Sequence, residues 1–363
     1  MSAAESLLAE VHGTGVPVRA AEKIPGFDHV VRLRLADERA VVLKRRRADD
    51  LDDRAVGFAA ELAALDFLNG MPGAVAPRLF GADDEAGILI MEDLGAGSSL
   101  ADSLLGGDRR RAEADLVSYA RALAAMHAWS IGRSGEFARA WARRASGAPP
   151  PEPEWMGAIA SRKESFLAVM ARLGLPVDRA GDDVDGLVSL LRGTVATGLV
   201  HGDPCPDNTH IVDGHCRIFD FESSGWGAVA LDAAYLLAPF PSCWCFASLP
   251  AAVAEPALQA YRDEMAAASI DLGPDWDAVM TAAIAGWLVA RGEALGRALD
   301  EDTEYGTTTM RPRFLTWLGS FIDAADRSGA VPRLRVLAAA AHQQLSRRWP
   351  ETVVPQYPAV AAP

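Results

Sequence analysis

His201-Gly-Asp203-Pro-Cys-Pro-Asp207-Asn208, running on through Thr209-His-Ile-Val212, Asp213-Gly214 and Cys216-Arg-Ile-Phe219 to Asp220-Phe221-Glu222, decides how this chain folds. It reads H-x-D-x-x-x-x-N, a short hairpin, then an apolar residue, an aspartate and a phenylalanine. Pro204 and Pro206 keep the stretch after His201 out of a helix. Residues 209–212 and 216–219 have strand character, and Asp213-Gly214 between them is a two-residue hairpin turn. Asn208 then opens the hairpin and Asp220 closes it, so both oxygen donors emerge at one edge. Thr197-Gly-Leu-Val200 is a short apolar approach to His201.

This pattern suits phosphoryl transfer. Asp203 is a carboxylate placed to take the proton of an acceptor hydroxyl, while Asn208 and Asp220 supply the hard oxygen ligands that Mg²⁺ needs beside the nucleotide phosphates. For Asp207, His210 and His215 the plainer reading, solvated turn and strand residues, is sufficient.

Further toward the amino terminus, residues 29–35 and 39–44 read as two strands joined by a turn at Ala36-Asp37-Glu38. The second ends in Lys44, which can pair with the α- and β-phosphates if a carboxylate steadies it. Residues 58–68 form an amphipathic helix that carries Glu61. Gly87-Ile-Leu-Ile-Met91 is a strand of buried type that passes into Glu92-Asp93-Leu94-Gly95.

Together these stretches resemble the aminoglycoside phosphotransferase and choline kinase group of the protein-kinase-like superfamily, over residues 15–345. The group usually shows H-G-D where protein kinases have H-R-D, and several members have D-F-E, as in Asp220-Phe221-Glu222. The resemblance implies an α+β, bilobal protein-kinase-like fold: a small amino-terminal lobe with an antiparallel sheet plus a helix, and a larger, mainly helical carboxy-terminal lobe. Its nucleotide-binding lobe would span 1–91, the hinge 92–97, the helical catalytic and acceptor-binding lobe 98–350, and a proline-rich tail 351–363. It further implies ATP and Mg²⁺ as cofactors, with Glu61 as the ion-pair partner of Lys44. Met91 would border the adenine pocket, and the Glu92 carbonyl and Leu94 amide would contact the base. Asp232 would bond to the backbone around His201, and His127 would be a packed residue ending a helix over 115–127. Ile24-Pro-Gly-Phe-Asp28 departs from the three-glycine loop of protein kinases.

After Asp220 the chain goes almost directly through Ser-Ser-Gly-Trp-Gly into the helical stretch 229–237, with no room for a peptide-binding platform. A small-molecule hydroxyl acceptor is the expectation. Trp226, Tyr235, Phe240 and Trp244 suit either a ligand pocket or core packing. Two other readings stay open: a nucleotide-binding pseudokinase with a regulatory role, and transfer of AMP instead of phosphate.

The rest of the chain fits a cytoplasmic enzyme. Its net charge of −14 disfavours nucleic acid, whose phosphate backbone needs a basic surface. Asp263, Glu264, Asp271, Asp275, Asp277, Glu293, Asp300, Glu301, Asp302 and Glu304 would attract a cationic acceptor, although an acidic, solvated surface explains them as well. No apolar run is long enough to span a membrane, and the amino terminus does not read as a signal peptide. Four cysteines in 363 residues do not suggest a disulfide framework, and Cys243-Trp-Cys245 lacks zinc-spaced partners, so buried or pocket-lining thiols are expected. Pro149-Pro-Pro-Glu-Pro153 is a stiff connector into inserted helices over 154–195. Further helical stretches cover 277–299 and 332–348, and a proline-rich tail follows.

Overall fold

The computed structural model describes residues 3–12, 16–24, 27–46, 53–145 and 147–361. Pro25 and Gly26, in the stretch that departs from the three-glycine loop, lie outside these residues.

The amino-terminal lobe consists of α1 (Ala3–His12), β1 (Val18–Lys23), β2 (Val30–Leu35), β3 (Ala40–Arg45), α2 (Asp53–Leu68), β4 (Leu79–Asp83) and β5 (Ile88–Glu92). The five strands form one antiparallel sheet in the order β1-β2-β3-β5-β4. β2 alternates leucines with Arg32 and Arg34, whereas β3 is a continuous apolar run from Ala40 to Leu43 that buries on both faces. The face bearing Leu33, Leu35, Val41, Leu43, Ile88 and Ile90 packs with Leu7 and Leu8 of α1, forming a core of its own. The opposite face, through Val42, Leu89 and Met91, joins α2 in the main core. The β3 register places Lys44 opposite Val30 and Leu89, at the end of the strand and one step from solvent.

The larger lobe contains α3 (Leu100–Leu105), α4 (Arg109–Ser130), α5 (Ser134–Ala142), α6 (Glu154–Ser161), α7 (Lys163–Arg172), α8 (Ala180–Gly193), β6 (Thr197–Val200), β7 (Thr209–Val212), β8 (His215–Ile218), β9 (Gly225–Ala228), α9 (Ala230–Ala233), α10 (Ala251–Ala267), α11 (Trp276–Ala290), α12 (Gly292–Asp300), β10 (Glu304–Tyr305), β11 (Thr308–Thr309), α13 (Met310–Ser328) and α14 (Pro332–Arg348). β7 and β8 form the expected hairpin, and both turn residues, Asp213 and Gly214, have positive φ (51° and 76°), the conformation that Asp-Gly favours. β6 pairs antiparallel with β9, which brings the segment after Asp220 back beside the approach to His201.

The helical stretch expected over 277–299 is two helices, α11 and α12, bent by 52°. Gly292 sits at the break, where an added Cβ would lie 2.7 Å from the Phe166 backbone, so α7 packs directly against the corner. Among the described residues no single helix is long and apolar enough to cross a membrane. Only the bent pair α11–α12 passes by length and composition. The tail beyond α14 is not helical, as its prolines require, yet it is well packed: Tyr357 is fully buried, and Pro355 accepts a hydrogen bond from the Ser248 amide.

Candidate active site

Two elements from opposite lobes meet at Lys44. The Lys44 ammonium, almost fully buried, lies 2.8 Å from Glu61 Oε2 of α2 and 2.5 Å from Asp220 Oδ1. Glu222 is a further 3.9 Å contact. Burial works against the ammonium, but the Glu61 and Asp220 carboxylates outweigh it and hold the Lys44 pKa well above the ordinary lysine range. Burial pushes the Glu61 carboxyl up to about 7 against the pull of Lys44.

Asp220 follows β8 in a left-handed conformation with φ of 70°. The Phe219 amide donates to the Asn208 carbonyl at 3.0 Å, which ties the two ends of the β7–β8 hairpin together. Asn208 is buried and turns its amide nitrogen to the Asp203 carbonyl (2.9 Å) and toward Asp203 Oδ2 (3.4 Å), leaving its side-chain oxygen for another partner. The donor set of an amide oxygen and a carboxylate at one hairpin edge fits a hard, oxygen-seeking cation such as Mg²⁺.

The loop between β6 and β7 carries Asp203. His201 Nε2 donates to the Phe219 carbonyl (2.9 Å), and its Nδ1 accepts from the Asp203 amide (3.3 Å), so both ring nitrogens are committed to the loop. Gly202 adopts φ of 82°, and an added Cβ would sit 2.1 Å from the Ser223 carbonyl oxygen; a side chain fits here neither in conformation nor in space. Asp232, fully buried in α9, accepts from the amides of His201 (2.6 Å) and Gly202 (3.0 Å). It also meets His127 Nε2 at 3.1 Å, and His127 Nδ1 lies 2.8 Å from the Tyr261 hydroxyl. A buried line from α10 through α4 and α9 therefore fixes the loop, and Asp232 and His127 are structural residues as expected. Burial pushes the Asp203 carboxyl up to about 6; His201 opposes this, and Asp207 and Asp220 add to it.

A cavity of about 270 Å³ lies between the sheet and the hairpin, lined in part by Val42, Lys44, Met91, Leu94, Phe219 and Asp220. The backbone between the lobes is tied on both sides. Arg32 of β2 makes a two-pronged contact to Asp93 (2.7 and 3.0 Å), and Arg217 of β8 makes another to Glu92 (2.8 and 2.6 Å). The Glu92 side chain is thus committed to Arg217 and to the Arg78 amide, and only its backbone faces other duties. His210, read from sequence as a plain strand residue, lines the same cavity, with its Nε2 buried and without a hydrogen-bond partner among the described residues. No sequence signal separates it from a solvated histidine; its position follows from the hairpin packing under the interlobe segment.

One expectation fails here. Cys205 and Cys243, expected as free thiols, form a disulfide across 38 residues. Pro204 and Pro206 fix Cys205 in the loop, and buried Arg313 donates to the carbonyls of Pro241, Cys243 and Trp244, holding the second cysteine beside it. Such a pairing depends on α13 packing far along the chain, which local cysteine spacing does not reveal. Cys216 and Cys245 are buried free thiols. Cys205 Sγ lies 3.1 Å from Asp203 Oδ1. Next to the disulfide, Trp244 Nε1 donates to Asp207 Oδ2 at 2.7 Å, with the indole partly exposed. Of the other aromatics, Tyr235 and Phe240 are core residues, and Trp226 stacks on Phe137.

A family model described as the phosphotransferase enzyme family matches residues 21–280. The chain belongs to this family. It is a phosphotransferase, and its fold agrees with that of a Ralstonia eutropha protein provisionally assigned as an aminoglycoside phosphotransferase: TM-score 0.54 at 17% identity, covering 95% of this chain and 97% of that one. The chain is also similar to a macrolide 2'-phosphotransferase from Brachybacterium faecium, at 20% identity and TM-score 0.47, covering 83% of this chain and 94% of that one. A Thermobifida fusca protein provisionally assigned as a fructosamine-3-kinase matches at 20% identity and TM-score 0.49, over 94% of this chain and 99% of that one. No curated protein matches the sequence significantly.

Proposed function

We infer that this phosphotransferase moves the γ-phosphoryl group of ATP to a hydroxyl of a small molecule. The observation that carries the reading is the meeting of Lys44, Glu61 and Asp220 across the lobes, with Asn208 and Asp203 on the adjoining loop. Residues 1–91 form the nucleotide-binding lobe, 92–97 the hinge, 98–350 the catalytic and acceptor-binding lobe, and 351–363 the tail. Met91, the Glu92 carbonyl and the Leu94 amide would hold the adenine in the cavity those residues line. Lys44, steadied by Glu61, holds the α- and β-phosphates. Asn208 and Asp220 would hold Mg²⁺, which when bound neutralises charge on the phosphates.

Asp203 orients the acceptor hydroxyl and takes its proton as the oxygen attacks the γ-phosphorus and the bond to the β-phosphate oxygen breaks. A general base contributes about 10²–10⁴-fold, so positioning and electrostatics supply most of the rate. The raised Asp203 pKa makes its carboxylate a better proton acceptor than a solvated one. The short path from Asp220 to β9, with no platform between them, supports a small acceptor. Several of the acidic residues between 263 and 304 are engaged locally: Asp277 pairs with Arg262, Asp300 with Arg172, and Asp302 accepts from the Arg311 amide.

The test is product mass after incubation with Mg-ATP and a panel of hydroxylated acceptors, with Asp203→Asn as control. A gain of one phosphate, dependent on Asp203, supports the reading. A gain of AMP would replace it by nucleotidyl transfer, and absence of nucleotide binding would sink it.

A further inference from the structure

The break between α11 and α12 places a cation beside the catalytic loop. Arg291 occupies the corner of the 52° bend, with its amide tied to the Leu288 carbonyl at 3.2 Å. Its guanidinium carbon lies 4.7 Å above the Trp155 ring. Trp155 in turn donates through Nε1 to the Gly202 carbonyl (2.6 Å), one residue from Asp203, and packs on Trp287 with centroids 4.0 Å apart. Trp287 is anchored by its own Nε1 on the Leu231 carbonyl. A chain of fixed aromatic groups therefore runs from the loop to Arg291. Through Trp155, Arg291 is linked by two contacts to the Gly202 carbonyl, next to Asp203.

Arg291 is half-buried, and among the described residues it forms no ion pair. Its Nε is fully buried and has no hydrogen-bond partner. Leaving a buried donor unpaired is costly, and stacking on Trp155 satisfies the face of the guanidinium but none of its edge N–H groups. An edge of this kind matches a planar oxyanion in two parallel hydrogen bonds. The surroundings choose between oxyanions. Asp203, Asp207, Asp220 and Glu222 cluster on the same loop and hairpin, so a doubly charged phosphate ester would meet strong repulsion with a single arginine to offset it. A carboxylate matches Arg291 charge for charge.

We propose that the acceptor is a hydroxy acid whose carboxylate is held by Arg291 while its hydroxyl is presented to Asp203. This rests on the phosphotransferase reading above and narrows it to a substrate class. It sets an expectation opposite to that of a purely cationic acceptor. The chemistry is the transfer already described, with the carboxylate unchanged.

The experiment compares matched acceptors with the full-length protein and Mg-ATP: glycerate, homoserine and 4-hydroxybutyrate, each beside its primary amide, together with glucose, choline and kanamycin. Loss of a charge-assisted, two-pronged contact is worth about 10- to 100-fold. At least one acid is expected to exceed its amide in kcat/KM by that factor. Arg291→Met, which keeps the bulk over Trp155, is expected to collapse the acid-to-amide ratio toward one, mainly through KM. Arg291→Lys, which keeps the charge, is expected to restore part of the ratio. The ratio is the readout because it is insensitive to a general loss of folded protein or to a change at Asp203. An acid-to-amide ratio that Arg291→Met leaves intact would overturn the assignment. So would phosphorylation of glucose, choline or kanamycin with no transfer to any acid, a result that leaves the kinase reading standing. If Mg-ATP does not bind at all, both fail together.

Discussion

Replacing Asp232 by asparagine tests the account of the loop most directly. The carboxylate is fully buried and receives three hydrogen bonds, from the amides of His201 and Gly202 and from His127 Nε2. Hydrogen bonds to a charged acceptor contribute about 1.5–3 kcal/mol each. Asparagine preserves the shape and one acceptor oxygen, but turns an NH₂ group toward a backbone N–H that has no other partner. Losing one contact outright and weakening the others costs roughly 2–4 kcal/mol, a large part of the about 5–15 kcal/mol that holds a typical domain folded. At about 2 °C per kcal/mol for a lobe of this size, the unfolding midpoint should fall by roughly 4–8 °C. The measurement is calorimetric unfolding of both proteins without nucleotide, paired with phosphoryl-transfer rates well below the transition. The rate should drop too, because the two amides that position Asp203 lose their shared acceptor. A midpoint within about 1 °C of the parent and an unchanged rate would show that the loop is held by something else, and the buried line through His127 and Tyr261 would lose its meaning.

Asp203→Asn and Asp220→Asn should separate chemistry from binding: the first abolishes transfer while leaving Mg-ATP affinity within about twofold, and the second weakens Mg-ATP itself, both read by titration calorimetry. Gly202→Ala forces a side chain into a left-handed conformation against the Ser223 carbonyl, so expression or thermal stability should suffer by more than the about 1–2 kcal/mol of the conformational term alone. The proposed base works only when deprotonated, so kcat/KM should be lost as pH falls through about 6, the value to which burial raises Asp203. Asp207→Asn removes a neighbouring like charge and should move that acid limb to lower pH. A limb that stays put would remove Asp207 from the electrostatics of the loop.

Where short-range chemistry dictates structure, the sequence was readable. Asp213-Gly214 can hardly do other than close a two-residue hairpin, and that turn alone sets Asn208 and Asp220 at one edge. The apolar run of β3 puts Lys44 near the end of a buried strand, and the apolar stripe of α2 turns Glu61 inward to meet it. Long-range packing was not readable. Nothing near Arg291 marks it out: the break after α11 exists because α7 presses on Gly292, a contact across more than a hundred residues. The pairing of Cys205 with Cys243 depends on Arg313, and the clasp of Arg32 and Arg217 on the interlobe carboxylates depends on two sheets meeting. α1 gave no signal either, since its two core leucines acquire meaning only against the outer face of the sheet.

The bond between Cys205 and Cys243 makes the oxidation state of the protein part of its identity. Disulfides persist in oxidising surroundings and are kept reduced by the glutathione and thioredoxin systems of most cytosols. A dithiol such as dithiothreitol would supply two electrons and two protons and leave a thiol beside the Asp203 carboxylate. The Trp244 segment, still held in place by Arg313, would then keep its grip on the loop through Asp207 alone, without the covalent tie. A sample handled in air and one stored with reductant are thus distinct chemical species. They differ by two hydrogens in mass and in the number of titratable sulfhydryls, one of them in contact with Asp203.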